Sequence, residues 1–228
     1  TLVLPFERKD SPVPQDDRTA KARIRDAAIA VVAEEGSDGM TARRVAAEAG
    51  VSPGLVTHHY GSMEGLAEAC DHHVAALVRA AKSEAMAQGA GLDPLAAVRA
   101  SQAATVMPYL ARRLASDAPT LARLVDELVD DAEGYLAEGE ASGMIRPTGD
   151  RRARASVLTV WSLGALALHE HLRRLIGVDL TDPDFESAPH FIRYARPALE
   201  TFGRGLLTPE IADQLLERLS DPDTQPSA

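Results

Sequence analysis

The chain has 228 residues, a formal net charge of −10 and 45% hydrophobic residues, which suits a soluble globular protein of one large domain or two smaller ones. No apolar run approaches the roughly 18 residues of a membrane span, and the N-terminal stretch carries no secretory pattern, so a membrane partner is not expected. The single cysteine, Cys70, excludes an intrachain disulfide framework and suits a reducing compartment, so the expected location is the cytoplasm.

Aromatic residues are scarce at 4%, so the core must be mostly Ala, Leu and Val. Helix formers dominate and no period-2 run is sustained, which predicts an all-α protein. The charge is unevenly spread. Residues 18–63 hold six Lys/Arg against five acids, a net +1, whereas residues 64–228 carry −9 and residues 1–17 carry −2. An acidic body with a locally basic head can still bind phosphate at the head. Solvated helix faces account for the same charges, and composition leaves both readings open.

Taken in chain order, residues 1–17 hold three prolines and read as a flexible N-terminal arm. From Arg18 to Glu35, Ile24, Ala27, Ala28, Val31 and Val32 follow i, i+3, i+4, i+7, i+8, one buried stripe on a helix that Gly36 ends. Thr41 caps a second helix that buries Val45, Ala46 and Ala49 and stops at Gly50. Ser52 caps a third, with Pro53 at its first position, where a missing N–H costs nothing. Ser62 caps a long fourth helix to about Ala87. Asp93-Pro94 opens a fifth to about Met107, Pro108 a sixth to about Asp117, and Pro119 a seventh to Gly143. Asp150 caps an eighth helix to about Ile176; a ninth spans about Ser187 to Leu206, and Thr208-Pro209 opens a tenth. The expected division is an arm (1–17), a three-helix head (18–63), a larger helical body (64–220) and a disordered tail (221–228).

A short helix, a three- or four-residue turn and another short helix make the helix-turn-helix arrangement, which presents its second helix to the DNA major groove. The stretch from Thr41 to Ser62 supplies what such reading needs. Small or polar residues (Ser52, Gly54, Thr57) stand near the start of the rod, and Arg43 and Arg44 stand in the first turn of the preceding helix. An ordinary αα-corner fits the same spacing.

The residues "TARRVAAEAGVSPGLVTHHYGSMEGL" (Thr41–Leu66) resemble the DNA-binding signature of the tetracycline-repressor (TetR) family, over residues 18–70 or so. "GMIRP" and the Arg-rich start of "DRRARASVLTVWSLGALALHEHL" are similar to the family's regulatory half. The resemblance implies an all-α fold with an N-terminal three-helix head that binds an operator in double-stranded DNA. The helices behind it would form a ligand pocket and a dimer interface. On it, Thr41 caps the second helix and touches a phosphate, Arg43 faces the groove edge, and Arg44 adds a cation. Ser52, Pro53, Gly54, Thr57 and His58 lie on the reading helix, with His59 beside them, while Tyr60 packs inward with Val51, Val56 and Leu66. Three positions depart from the family's pattern. Arg44 stands where an acid is usual, so the reciprocal capping box with Thr41 is absent. Thr57 replaces a tyrosine and Met63 a lysine that commonly contact phosphate. Arg18, Lys21, Arg23 or the arm can compensate for these.

The body carries no catalytic motif: no G-x-S-x-G, phosphate loop or H-E-x-x-H, so neither an enzyme nor a cofactor is expected. His169 and His171 lie about 200° apart around a helix and cannot share a metal, and no metal site is expected. Candidate pocket residues are Met86, Met107, Tyr109, Leu128, Tyr135, Trp161 and His169, apolar walls with a few polar groups that suit a small hydrophobic effector. Each is equally readable as core. Candidate dimer residues are Val157, Val160, Gly164 and Leu168 on one helix and Phe191, Ala195, Ala198 and Phe202 on another. The expected function is a homodimeric repressor released from its operator by that effector. The alternative is a small-molecule carrier or sensor with a weakened helix-turn-helix.

Overall fold

Ten α-helices and two single 3-10 turns hold most of the regular structure of the described residues; residues 209 and 211–214, where a last helix is expected, are also helical, and there is no strand among the described residues. The computed structural model describes residues 15–116, 120–182, 185, 188–204, 209 and 211–214. The expected arm before Gln15, the tail after residue 220 and Pro119 lie outside them. The helices are α1 (Gln15–Glu35), α2 (Ala42–Ala49), α3 (Pro53–Tyr60), α4 (Met63–Gln88), α5 (Pro94–Ala100), α6 (Ala103–Leu114), α7 (Leu121–Ala141), α8 (Arg151–Ala167), α9 (His169–Ile176) and α10 (Ala188–Arg204). Residues Thr1–Glu186 form one compact unit and Ser187–Ala228 a second.

The first three helices close because α1 offers the stripe read from its sequence. Ile24, Ala28, Val31 and Val32 are buried, as are Val45, Ala46 and Ala49 of α2 and Val56 of α3. These residues meet in a core that Leu66 and Cys70 of α4 complete. Two hydroxyl caps set the helix starts: Thr41 Oγ1 accepts from the Arg44 N–H at 3.2 Å, and Ser62 Oγ accepts from the Gly65 N–H at 3.0 Å. The turn between α2 and α3 needs Gly50, whose φ of 64° is left-handed.

In the rest of the first unit, α4 lies along α7, α7 along α8, and α6 packs against both α1 and α8. A cluster of Val129, Ala132, Leu136 and Ala155 joins α7 to α8, with Tyr135, Ile145 and Leu158 against it. Glu140 ties the same pair, accepting from Arg151 and Arg154 at 2.6 Å each. Close approach of α4 to the end of α7 depends on Gly139. A Cβ there would stand 2.7 Å from Met86 Sδ and 2.6 Å from Ile145.

Two helix boundaries differ from expectation. Pro108 does not start a helix but lies inside α6, which begins at Ala103 after Gln102 turns into left-handed backbone (φ 55°). An interior proline costs about 3 kcal/mol. The continuous burial of Ala103, Val106, Tyr109, Leu110 and Arg113 along one α6 face offsets it. The expected helix from Asp150 to Ile176 is two helices, broken at Leu168, where the backbone leaves helical geometry (φ −104°, ψ 23°). Just past the break, His169 Nδ1 lies 2.8 Å from Asp179 Oδ1 in the following loop.

Candidate nucleic-acid interface

The outer face of α3 is open. Ser52, Pro53, Gly54, Thr57 and His58 are exposed, and nothing lies within 4 Å of a Cβ built on Gly54. His58 and His59 meet edge to face, ring centroids 5.4 Å apart, with His59 half-buried. The opposite side anchors the helix: Val56 is buried and the half-buried Tyr60 donates its hydroxyl to the Lys21 carbonyl at 2.6 Å. Lys21 Nζ stands 5.4 Å above the Tyr60 ring.

The two arginines at the start of α2 have different occupations. Arg43 is exposed and makes no hydrogen bond or ion pair among the described residues. Arg44 reaches back to the end of α1, donating to Glu35 at 2.6 Å, and also donates to Glu48 at 2.8 Å, with Glu34 at 3.9 Å. Those carboxylates raise its pKa, hydrogen bonds to Glu48 and Glu35 first. Arg23 is likewise engaged, donating to the carbonyls of Ala49 and Gly50 that end α2. That fixes the turn and removes Arg23 from the cations free to replace a missing phosphate contact.

Behind this face, α4 is bound to α6 by a buried charge cluster. Arg113 donates to Asp71 from Nε at 2.9 Å and from Nη2 at 2.6 Å, Nη2 also donates to Thr120 at 2.8 Å, and the Tyr109 hydroxyl donates to Asp71 at 2.5 Å. Asp71, Tyr109 and Arg113 are all buried. Burial alone would lower the Arg113 pKa, but the hydrogen-bonded Asp71 carboxylate raises it on balance. Burial, with the Asp71 carboxylate beside it, pushes the Tyr109 phenol up. Burial also pushes the Cys70 thiol up to about 12. It stays protonated at neutral pH and is a poor nucleophile, which argues against redox sensing.

Comparison with known proteins places this geometry. The sequence pattern of the tetR family of bacterial regulatory proteins matches residues 24–70, and that of the tetracyclin repressor-like C-terminal domain matches residues 101–208. The chain is 36% identical over 192 residues to the HTH-type transcriptional regulatory protein RaaS of Mycobacterium tuberculosis (strain ATCC 25618 / H37Rv), covering 84% of this chain and 88% of that one. The chain belongs to the TetR family. Its fold is similar to that of native NalD, a secondary repressor of a multidrug efflux pump in Pseudomonas aeruginosa. There the TM-score is 0.51 at 21% identity, over 85% of this chain and 98% of that one. It is also similar to a TetR-family regulator from Rhodococcus sp., with a TM-score of 0.50 at 23% identity, over 66% of this chain and 87% of that one.

As a TetR-family transcriptional regulator, the chain assigns its charges differently from the family's usual pattern. The acid commonly found at position 44 is replaced by a cation that Glu34, Glu35 and Glu48 neutralise. Half of the capping box survives without it, in the Thr41–Arg44 N–H bond. Met63 is half-buried at the first position of α4.

The candidate pocket residues do not gather into one wall. Tyr109 and Leu128 are core, Tyr109 through its bond to Asp71. Trp161 is exposed, as are Val157 and Val160, which the sequence offers as candidate dimer residues, and His169 is held by Asp179 at the α8–α9 break. Met86 packs at Gly139, Tyr135 lies against the α7–α8 cluster, and Met107 is half-buried on α6. Val157, Val160 and Leu168 are exposed; Gly164 is half-buried, with open space where its Cβ would be. In the second unit, Phe202 and Leu199 of α10 are exposed, with Ile192, which the hydrophobic pattern missed; Phe191, Ala195 and Ala198 are half-buried. No helix of the described residues is long and apolar enough to cross a membrane.

Proposed function

We propose that this regulator is a cytoplasmic homodimeric repressor that grips its operator through the outer face of α3 with Arg43 at the groove edge. A small, largely apolar effector bound among α4, α6, α7 and α8 releases it. The observation that carries the DNA reading is the exposed, sterically open row of Ser52, Gly54, Thr57 and His58 beside an unengaged arginine. Polar side chains on a narrow rod read base edges, and a free guanidinium takes a phosphate.

Dimerisation is supported by large apolar side chains left exposed on α8 and α9 (Val157, Val160, Trp161, Leu168, Leu175) and on α10 (Ile192, Leu199, Phe202). Exposed apolar side chains of this kind, clustered on a helix, mark an interface in each unit taken by itself. Two heads about 34–36 Å apart match successive turns of the major groove. Release requires an effector that prefers the state unable to bind DNA. The rigid cluster of Asp71, Tyr109 and Arg113 gives α6 a direct hold on α4, which carries the head.

The test is binding to the DNA upstream of the protein's own coding sequence across a salt series, followed by selection of sites from random DNA. The expected result is a palindromic site bound with a steep salt dependence. Absence of any salt-dependent DNA binding would leave a carrier or sensor with an inactive head.

A further inference from the structure

The helix α3 does not hold its own position. It is eight residues long, below the roughly 12–15 residues at which an isolated helix becomes even marginal in water. Of its residues, all described, only Val56 is buried, and Ser52 starts the helix without a side-chain hydrogen bond. One buried side chain fixes where a rod sits but leaves it free to turn about that point. The angle of α3 therefore depends on what holds its ends.

Both ends are held by one short piece of α1. At the entry, Arg23 Nη2 donates to the Ala49 carbonyl and, at 3.5 Å, to the Gly50 carbonyl. The Gly50 N–H closes the Ala46 and Ala47 carbonyls and the Val51 N–H returns to Ala46. The guanidinium thus takes the carbonyls that come after them, and a cation there suits the negative end of α2. It lies so close over the turn that a Cβ on Gly50 would stand 3.3 Å from Nη2. At the exit, the Tyr60 hydroxyl donates to the Lys21 carbonyl at 2.6 Å, with the Lys21 ammonium 5.4 Å from the ring centroid. Tyr60 follows Val56 by four residues and shares its face. Lys21 and Arg23 are two residues apart, so one rigid stretch of α1 sets both ends of α3 at once.

The consequence for reading DNA is geometric. At about 1.5 Å per residue α3 is about 12 Å long, so turning it by about 10° about one end moves the other by about 2 Å. Hydrogen bonds to base edges form within a window of about 0.5 Å and do not survive that shift. Contacts of long, flexible cations with phosphates do. We propose that Arg23 and the Tyr60 hydroxyl are positioning residues for operator recognition: they set the angle of α3 in the groove and so determine sequence specificity without touching a base. This rests on the reading of α3 as the groove-reading helix. Groove-facing side chains can be exchanged without loosening the head, but the two pins cannot be released without turning the reading face.

The test uses the full-length protein with Tyr60→Phe, which keeps the ring and loses the hydroxyl, and Arg23→Met, which keeps the stem and loses the guanidinium. Affinity is measured for the operator selected from random DNA and for scrambled DNA of equal length, across a salt series and beside an unfolding curve. Each variant is expected to lose at least about tenfold on the operator, the scale of a lost base contact. Affinity for scrambled DNA and the salt slope should stay as in the wild type. A shifted unfolding curve with an unchanged ratio of the two affinities would leave only a role in stability and overturns the proposal. Both DNAs weakened alike by Arg23→Met, with the salt slope lower by about 0.9 per head, would make Arg23 a phosphate contact and overturns its assignment. Should Arg23→Met fail to fold, Tyr60→Phe decides alone, since its ring still fills the same place. A wild type that does not distinguish operator from scrambled DNA overturns the groove-reading role of α3 and this proposal with it. A wild type that distinguishes them, beside variants that do so equally well, overturns the positioning roles alone.

Discussion

The head and the body of this molecule treat their polar groups in opposite ways. In the head, most cations are engaged internally: Arg23 ends α2, Arg44 sits among three glutamates, and the Lys21 ammonium stands over the Tyr60 ring. What is left outward is a short polar row and Arg43. The body has a buried, internally paired cluster at Asp71, but further along α7 it leaves Asp131 Oδ2 buried with no hydrogen-bond partner among the described residues. It also leaves Trp161 and Leu168 exposed, and, in the second unit, Phe202. A structure that is complete by itself suits a surface that must meet a rigid partner such as DNA. One with an unmet buried polar atom and uncovered apolar area suits a part completed by ligand and by a second subunit.

The contrast is broken most severely at Asp71. Asp71→Ala leaves the Arg113 guanidinium buried and unpaired, and is expected to cost about 3–5 kcal/mol of unfolding free energy. The double replacement Asp71→Leu with Arg113→Met removes both charges and should recover most of that loss. Urea unfolding of both variants checks this, and a loss below about 1 kcal/mol in the single variant would remove the cluster from its structural role.

A smaller effect is expected at the outer face of α8. Gly164→Leu meets open space within the chain, so the subunit itself should fold as before. Overpacking a subunit seam there would cost roughly 1–3 kcal/mol and appear only as dimer dissociation. Sedimentation across a concentration series reads it, and an unchanged dimer means the interface is built from another face.

At the head, Met63→Lys restores a cation at the start of α4. It is expected to tighten binding to all DNA sequences alike and to steepen the salt slope by about 0.9 per contact, or twice that for two heads. A flat response means position 63 does not face the backbone. Arg44→Ala should have the smallest effect, a slight loss of thermal stability with the salt slope unchanged, because Arg44 already has its counter-ions. A slope reduced by a full contact would instead place Arg44 on a phosphate.

The head was legible in the sequence because its signals are local. Thr41, Gly50, Ser52-Pro53 and Ser62 punctuate it, and the stripe of α1 repeats at helical spacing. The occupation of Arg44 was not, since Glu34 and Glu35 belong to another helix, although the departure from the expected acid at that position pointed to it. Pro108 misled because proline starts helices more often than it interrupts them, and only the buried face of α6 shows which holds here. The pocket was less legible for a related reason. Tyr109, Leu128 and Trp161 were chosen by residue type, whereas which way each points depends on how the helices turn against one another.

The central claim is that α3 and Arg43 form a DNA-reading surface independent of what holds the head together. A mobility-shift titration of Arg43→Glu on the selected operator, at fixed salt and beside an unfolding curve, tests it most directly. Losing a charge-assisted contact in each of two heads predicts a fall in affinity on the order of 100-fold or more, with the unfolding curve unchanged. Native affinity in the variant would contradict the account, because Arg43, unengaged among the described residues, would then have no part in binding.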